Sequence, residues 1–346
     1  MDCWLQREAM KAMVKIFRVL AKAYGLLALN KHAECIKEFE ALPIEHLLTG
    51  WVQCQMAKCK FQTNDHVAAE IYFARARQLE PYIQSDMELY STCLWHLQKD
   101  VALSALSKEL KDLNHLSPEA WVALGNAYSL RHDRDQALKC FERAIQLDDT
   151  FAYAHTLSGH EYVENEEFDK AQAEYRTALS IDPRSFYAWY GLGSIYHKTG
   201  KDDLALVHYL EAKNLNPNHS VVLYWVGTIQ ERLNRLSEAI RSFDEALRVD
   251  PTNASARYRR AKVLVDMRRL DEAFRDLEEL RQVTPNEPNI YMLQGRIFIQ
   301  RGQKEEALRY LTWALELDTK SSHTIRDMIA ELDGRQSEDE GDQYDM

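Results

Sequence analysis

The sequence predicts an all-α protein: a right-handed superhelical solenoid of about nine helix-turn-helix units, ending in a C-terminal capping helix. Three observations predict it. Small residues recur at a fixed step: Gly125, Gly159, Gly193 and Gly227 lie 34 residues apart, and Ala137, Ala171, Ala205 and Ala239 keep that step. Aromatic residues follow in phase at Phe141, Tyr175, Tyr209 and Phe243, with Ala144, Ala178, Ala212 and Ala246 behind them. Proline closes the later units at Pro183, Pro217 and Pro251. A constant period of roughly 20–50 residues marks stacked supersecondary units rather than a globular core.

The spacing has a physical cause. Each unit is an antiparallel helical hairpin, and small residues sit where two backbones approach closely: Gly159 on the first helix, Ala171 and Ala178 on the second. Leu192, Tyr196 and Tyr209 fill the space between hairpins. No single hairpin can bury its apolar face, so neighbours share one continuous core. The turn inside a hairpin is polar, as in Lys198-Thr199-Gly200-Lys201-Asp202. Proline after the second helix cannot continue it and marks the join between units. Trp, Leu-Gly, Tyr, Ala, aromatic, Ala and Pro at these offsets are identified as the tetratricopeptide repeat.

In chain order, residues 1–20 read as an amphipathic helix with Trp4, Met10, Met13, Ile16, Phe17 and Leu20 as its apolar positions. It is expected to be a terminal cap or the remainder of a longer stack. Degenerate units complete residues 1–117. Phe17, Leu20, Ala21, Tyr24 and Ala33 suggest one; Ala57, Ala69, Phe73, Ala76 and Pro81 give a second. Residues 82–117 form a third, with Ser91, Leu94 and Leu106 in place of the usual small and aromatic residues. The regular array spans 118–321. It weakens at its end, where Leu280 replaces an alanine and Thr319 a proline, while Ala261, Ala273, Gly295, Ala307 and Ala314 stay in phase. Residues 322–333 read as the capping helix, with Ile325, Met328, Ile329 and Leu332 on one face. Residues 334–346 are acidic, lack an apolar period and are expected to be disordered.

Composition bounds the function. The 346 residues carry a formal net charge of -11, which disfavours nucleic acid and anionic membranes as partners. No window approaches the ~20 apolar residues of a membrane span, and the charged N-terminal stretch is not a signal peptide. The six cysteines (Cys3, Cys35, Cys54, Cys59, Cys93, Cys140) have no CxxC or framework spacing, which fits reduced, mostly buried thiols in the nucleus or cytoplasm.

By the known geometry of the repeat, the first helix of each hairpin lines the concave face. Positions two, five, six, nine, twelve and thirteen of each unit point inward. They place Tyr153, Thr156, Leu157, His160, Val163 and Glu164 in one unit. The next two contribute Tyr187, Tyr190, Gly191, Ser194, His197 and Lys198, then Val221, Tyr224, Trp225, Thr228, Glu231 and Arg232. Glu119, Asn126 and Ser129 precede them. Packing between helices is not expected to require these side chains. Tyrosine and tryptophan among Asn, His, Thr and Glu suit a binding surface, although the same residues could simply fill the narrow inside of a superhelix.

Several motifs lead nowhere. His160-Glu161-Tyr162-Val163-Glu164 resembles half of a zincin helix, but Glu164 stands where the second histidine is needed. Gly191-Leu192-Gly193 lies within a helix and lacks the third glycine of a dinucleotide loop. No GxSxG, Walker or kinase pattern is present, so no enzyme, metal or cofactor is expected. Asn218-His219-Ser220 and Asn253-Ala254-Ser255 match the glycosylation sequon without a secretory signal. Ser337 before Glu338, Asp339 and Glu340 suits an acid-directed kinase.

One segment is more specific than the repeat. Leu89-Tyr90-Ser91-Thr92 and Leu94-Trp95-His96-Leu97-Gln98-Lys99-Asp100-Val101-Ala102-Leu103-Ser104 do not follow from the period. With Ser117-Pro118-Glu119-Ala120-Trp121 and Ala188-Trp189-Tyr190-Gly191-Leu192-Gly193, they resemble the C-terminal repeat array of subunit 3 of the anaphase-promoting complex, the cell division cycle protein 27 family. The resemblance covers about residues 20–320. It implies a non-catalytic scaffold subunit of a ubiquitin ligase in cell-cycle control, with other subunits of that complex as partners. It also implies that the concave groove receives the C-terminal Ile-Arg tails of coactivators. The N-terminal dimerising array of the family is not in this sequence, so a homodimer would need another surface.

An Ile-Arg tail needs an apolar pocket, carboxylates for its guanidinium and donors for its terminal carboxylate. Tyr187, Tyr190 and Leu157 could supply the first; Glu161, Glu164 or Glu231 the second; Asn126, His160, Ser194 and Thr228 the third. Tyr153 and Tyr224 complete the expected peptide-binding set. The competing reading is a cochaperone or adaptor that clamps acidic chaperone tails, through Lys198, Arg232, Arg259 and Lys262. These cations are scattered in sequence and interrupted by tyrosines.

Overall fold

A computed structural model describes residues 2–317, 323, 325–330 and 332, with side chains from Arg7 onward. Nineteen helices follow one another, without strands among the described residues. Within Met1–His219, a first unit of six hairpins, they are α1 (Asp2–Ala28) with α2 (His32–Glu40), the single turn α3 (Ile44–Leu47), α4 (Gly50–Gln62) with α5 (His66–Leu79), α6 (Met87–His96) with α7 (Asp100–Leu113), α8 (Pro118–Leu130) with α9 (Arg134–Leu147), α10 (Ala152–Glu164) with α11 (Phe168–Ile181), and α12 (Phe186–Lys198) with α13 (Asp202–Leu215). A second unit, Ser220–Met346, holds α14 (Ser220–Arg232) with α15 (Leu236–Val249), α16 (Ala254–Asp266) with α17 (Leu270–Val283), and α18 (Pro288–Gln300) with α19 (Lys304–Leu317).

The period runs through the degenerate units as well. Asn30, Asn64, Gln98, His132, Glu166, Gly200, Asn234, Arg268 and Gly302 all have positive φ, from 56° to 74°, and stand 34 residues apart. Each ends the first helix of its hairpin. The following amide donates back to the carbonyl five residues earlier, as Lys31 N does to Leu26 O (2.9 Å) and Lys201 N to Tyr196 O (2.8 Å). This is the hydrogen bond of a Schellman cap. Only two of the nine positions are glycine, so the sequence shows this turn weakly.

The small-residue columns receive aromatic rings. A Cβ added at Gly125 would lie 2.3 Å from the Phe141 ring; at Gly193, 2.8 Å from Tyr209; at Gly227, 2.7 Å from Phe243. Tyr175 is shared: it touches Gly159 in its own hairpin and Gly191 in the next. These rings are fully buried, as are Ala137, Ala171, Ala205 and Ala239. Aromatic rings therefore close these hairpins, and Tyr175 also sets the approach of the next one.

Within the first unit the hairpins coil back on themselves. Asn30 Nδ2 donates to Leu215 O, Arg184 Nη2 to Ala28 O (2.8 Å) and Asn216 Nδ2 to Gln62 O (2.9 Å). Phe61 meets Tyr187 with ring centroids 6.0 Å apart. The first two hairpins thus touch the sixth.

The expected N-terminal helix is longer than 1–20, because nothing breaks it before Asn30. Its expected apolar face is also only partly used. Ile16 and Leu20 pack toward Phe39, while Met10, Met13, Phe17 and Tyr24 are exposed. Five thiols, Cys35, Cys54, Cys59, Cys93 and Cys140, are free and buried. Residues 323, 325–330 and 332 are helical, and Ile325 and Leu332 pack with Phe298 and Leu311. Thr319, Ser337 and the expected disordered stretch 334–346 lie outside the described residues. No described helix is long and apolar enough to cross a membrane.

Candidate peptide-binding walls

The first unit places most of the expected residues on one wall, built from the first helices of successive hairpins. Thr92 on α6 is its organising point. Asn126 Nδ2, from α8, donates to Thr92 Oγ1 (3.0 Å) and Ser91 Oγ (2.8 Å). Tyr153 OH, from α10, donates to the same Thr92 oxygen (2.8 Å). Tyr153 meets Tyr187 of α12 edge to face at 6.5 Å, and Tyr187 meets Phe186 at 5.0 Å. Burial pushes both tyrosine hydroxyls well above their usual pKa. They act as neutral donors or acceptors, never as phenolates.

The next layer contains His160, Leu157, Tyr190 and Ser194. His160 Nδ1 and Tyr175 OH are 2.7 Å apart, and burial lowers the imidazole to about 4. Leu157 packs on the Phe141 cluster. Tyr190 lies against Tyr209, with centroids 5.6 Å apart, and the Tyr209 hydroxyl bonds Ser194. These contacts correct one expectation: Asn126, Tyr153, His160 and Tyr187 take part in helix packing. The side chains of Asn126, Tyr153 and Tyr187 reach a neighbouring hairpin, and that of His160 reaches the second helix of its own, which the repeat offsets alone do not reveal.

The acidic residues also differ from expectation. Glu161 is buried and accepts from Ser129 Oγ, and burial raises its carboxyl. It faces α8 rather than open space. Glu164 is exposed, between Arg134 and Lys198 at 3.7 Å each. A carboxyl that sequence reasoning passed over is Glu88, beside Ser91 and Thr92. Its Oε2 is buried with no hydrogen-bond partner among the described residues, and burial, then Asp86, pushes its pKa up to about 8. Its only signal was membership of the non-repeat segment 89–104's immediate flank.

The second unit forms its own wall. Thr228 is buried and donates to Tyr224 O (2.9 Å). Glu231 is not an open guanidinium acceptor: Arg259 Nη1 lies 3.0 Å from one of its oxygens and Lys262 Nζ 2.8 Å from the other. Arg259 Nε also donates to Tyr224 OH (3.3 Å). Folding thus gathers Arg259 and Lys262, three residues apart on α16, onto one carboxylate. A cavity of about 450 Å³ opens beside them, lined also by Tyr258, Leu280 and Ile290.

Tetratricopeptide-repeat models match residues 118–151 and 186–219, 159–200, 232–297 and 288–321. The chain is a tetratricopeptide-repeat protein. Its repeats are similar to those of the Protein bimA of Emericella nidulans, 45% identical over 46% of this chain and 20% of that protein. The cell division cycle protein 27 homolog of Homo sapiens is 45% identical over 42% of this chain and 18% of its own length. The anaphase-promoting complex subunit 3 of Schizosaccharomyces pombe is 43% identical over 46% and 24%. The tetratricopeptide chain therefore aligns with about a fifth of the length of these relatives. Among solved structures, the APC/C hetero-tetramer Cut9-Hcn1 is similar in fold, with a TM-score of 0.68 at 17% identity over 81% of this chain and 55% of that one. Pseudomonas aeruginosa pilF is similar too, with a TM-score of 0.55 at 23% identity over 62% of this chain and 97% of that one.

Proposed function

We propose that the chain is a non-catalytic scaffold subunit of the anaphase-promoting complex, acting in ubiquitin conjugation during the cell cycle, in nucleus and cytoplasm. The observation that carries this reading is the 43–45% identity to proteins named cell division cycle protein 27 and anaphase-promoting complex subunit 3. The reading includes the binding of coactivator Ile-Arg tails on the first unit's wall. Tyr153, Leu157, Tyr187 and Tyr190 offer aromatic and aliphatic area at low entropy cost. Ser194 and His160 offer polar atoms near that area, and Glu164 offers an exposed carboxylate for a guanidinium.

The test is fluorescence anisotropy with a labelled peptide ending in Ile-Arg, beside the same peptide amidated at its C-terminus. The free-acid peptide should bind at least about tenfold more tightly, since a charged hydrogen bond is worth roughly 1.5–3 kcal/mol. Equal binding of the two peptides would remove the tail-receptor reading.

A further inference from the structure

We propose that the exposed face of α1 docks an acidic amphipathic helix of a partner protein, which seats one apolar side chain in a cavity at the C-terminal end of α1. The proposal goes beyond the tail-receptor reading and shares only Tyr187 with its residue set. α1 has 27 residues, but its hairpin partner α2 has nine. Packing on the Phe39 cluster begins at Ile16, and every side chain from Arg7 to Lys15 is exposed. A helical segment that short is marginal alone in water. Two stripes run along α1. Met10, Met13, Phe17 and Tyr24 follow the spacing of a helix-helix seam, and each is more than half exposed. At 1.5 Å per residue the seam is about 21 Å long. Beside it run Arg7, Lys11, Lys15, Arg18 and Lys22, while Glu8 is the only acid between Arg7 and Ala28. Lys11 pairs with Glu8 and Lys22 with Glu38; Arg7, Lys15 and Arg18 make no ion pair among the described residues.

The seam leads into a cavity of about 360 Å³. Tyr24, Leu27 and Ala28 form its α1 side; Phe186 and Leu215 of the sixth hairpin face them. Tyr24 also stacks on Trp51, with ring centroids 6.4 Å apart. Seam, cavity and cations together select the occupant. A second copy of the chain would bring two basic stripes together, which charge repulsion opposes. A bilayer surface is flat and leaves the cavity unfilled, and the chain's net charge of -11 repels anionic lipid. A helix with carboxylates flanking an apolar stripe meets the cations of α1 and buries both seams at once. A side chain held in the cavity would anchor it, as buried apolar anchors do at the centre of interfaces.

The experiment uses the full chain and a fluorescent, C-terminally amidated helical peptide of about 21 residues, with leucine at heptad positions a and d and glutamate at e and g. Its twin carries lysine at e and g. Neither contains Ile-Arg, so this proposal and the tail-receptor reading fail separately. The glutamate peptide should bind about tenfold or more tightly than the twin, because Arg7, Lys15 and Arg18 each pass from attraction to repulsion. That preference should shrink as salt rises. Phe17→Gln should weaken binding of the glutamate peptide about tenfold. Lys15→Glu combined with Arg18→Glu should abolish the preference, while hydrogen exchange in α2 and α4 shows the hairpins still folded. A photoreactive leucine, placed at each end of the peptide in turn, should cross-link to α13 from one of them. Equal binding of the twins, undiminished binding to Phe17→Gln, or cross-links to α13 from neither end would overturn the proposal. Three other results would also overturn it by naming another occupant. Tighter binding of phosphatidylserine vesicles than of the peptide would make it a membrane. Dimerisation that Phe17→Gln abolishes would make it a second copy. Peptide binding seen only after removal of residues 334–346 would make it the chain's own acidic stretch.

Discussion

The Tyr175 ring sits between two glycines, and Gly191→Ala tests whether that sandwich sets the spacing of hairpins. The added Cβ would lie 2.3 Å from Tyr175 Cζ and 2.6 Å from Cε1. Ordinary contact needs about 3.4–4 Å, so the ring or helix α12 must move by more than about 1 Å. The ring has little room to yield. It is fully buried, Gly159 also lies against it, and its hydroxyl is held by His160 at 2.7 Å. Overpacking of this kind costs roughly 1–3 kcal/mol. Alanine in a helix interior returns about 1 kcal/mol relative to glycine. The difference is a net loss of up to about 2 kcal/mol. Repeat arrays do not unfold as a single two-state unit, so the readout is local hydrogen exchange by mass spectrometry. Protection in α10–α12 should fall, by up to about 30-fold. In a Tyr175→Leu background the same substitution should be neutral or mildly stabilising, because leucine lacks the ring atoms that meet the new methyl. If Gly191→Ala raises protection in the otherwise unchanged chain, the ring is not the spacer inferred here.

Three further outcomes are expected. Gly200→Ala should cost about 1–2 kcal/mol although nothing lies within 4 Å of its added Cβ, because φ is +74° there; urea denaturation followed at α12–α13 checks this. Arg260→Ala should cost about 3–5 kcal/mol in the second unit, since it strands the buried carboxylate of Asp276, which now receives Arg260 Nε at 2.8 Å; exchange in α16 and α17 reads the loss. Acid should loosen the first unit selectively. Burial lowers His96, His160 and His219 to about 4, with His66 lowering His96 and His219 further. Between pH ~4 and ~6.5 the unfolded chain then binds more protons than the folded one, so this stability is present above about 6.5 and is lost as pH falls. Glu88 and Glu161, raised by burial, pull the other way but are outnumbered. Exchange at pH 5 against pH 7, corrected for intrinsic rates, should show more opening in the first unit than in the second; equal effects would contradict it.

The scaffold was largely legible because it depends on size at fixed offsets. Gly159, Ala171 and Tyr175 announce a close approach wherever the rest of the hairpin lies. The hairpin turns were less legible, since Gln98, His132, Glu166 and Arg268 adopt positive φ without a glycine to announce it. There the cap geometry is imposed by packing of the two helices, which overrides local preference. The wall was half legible. Offsets identify Tyr153 and Tyr187 as inward residues, but not that Thr92 ties Tyr153 to Asn126 or that Phe61 backs Tyr187. Those contacts join residues 34 to 126 positions apart and follow from the coil of the first unit. Charge was least legible. Glu231 as a lone letter suggested an acceptor for a ligand; only folding shows Arg259 and Lys262 already upon it.

The most direct test of the proposed role is affinity purification of the tagged chain from dividing cells, followed by mass spectrometry of what remains bound. Other subunits of the anaphase-promoting complex should be recovered in fixed proportion to the chain, and the recovered assembly should conjugate ubiquitin while the isolated chain does not. Recovery of the chain without those subunits, or with chaperones in their place, would contradict the scaffold reading.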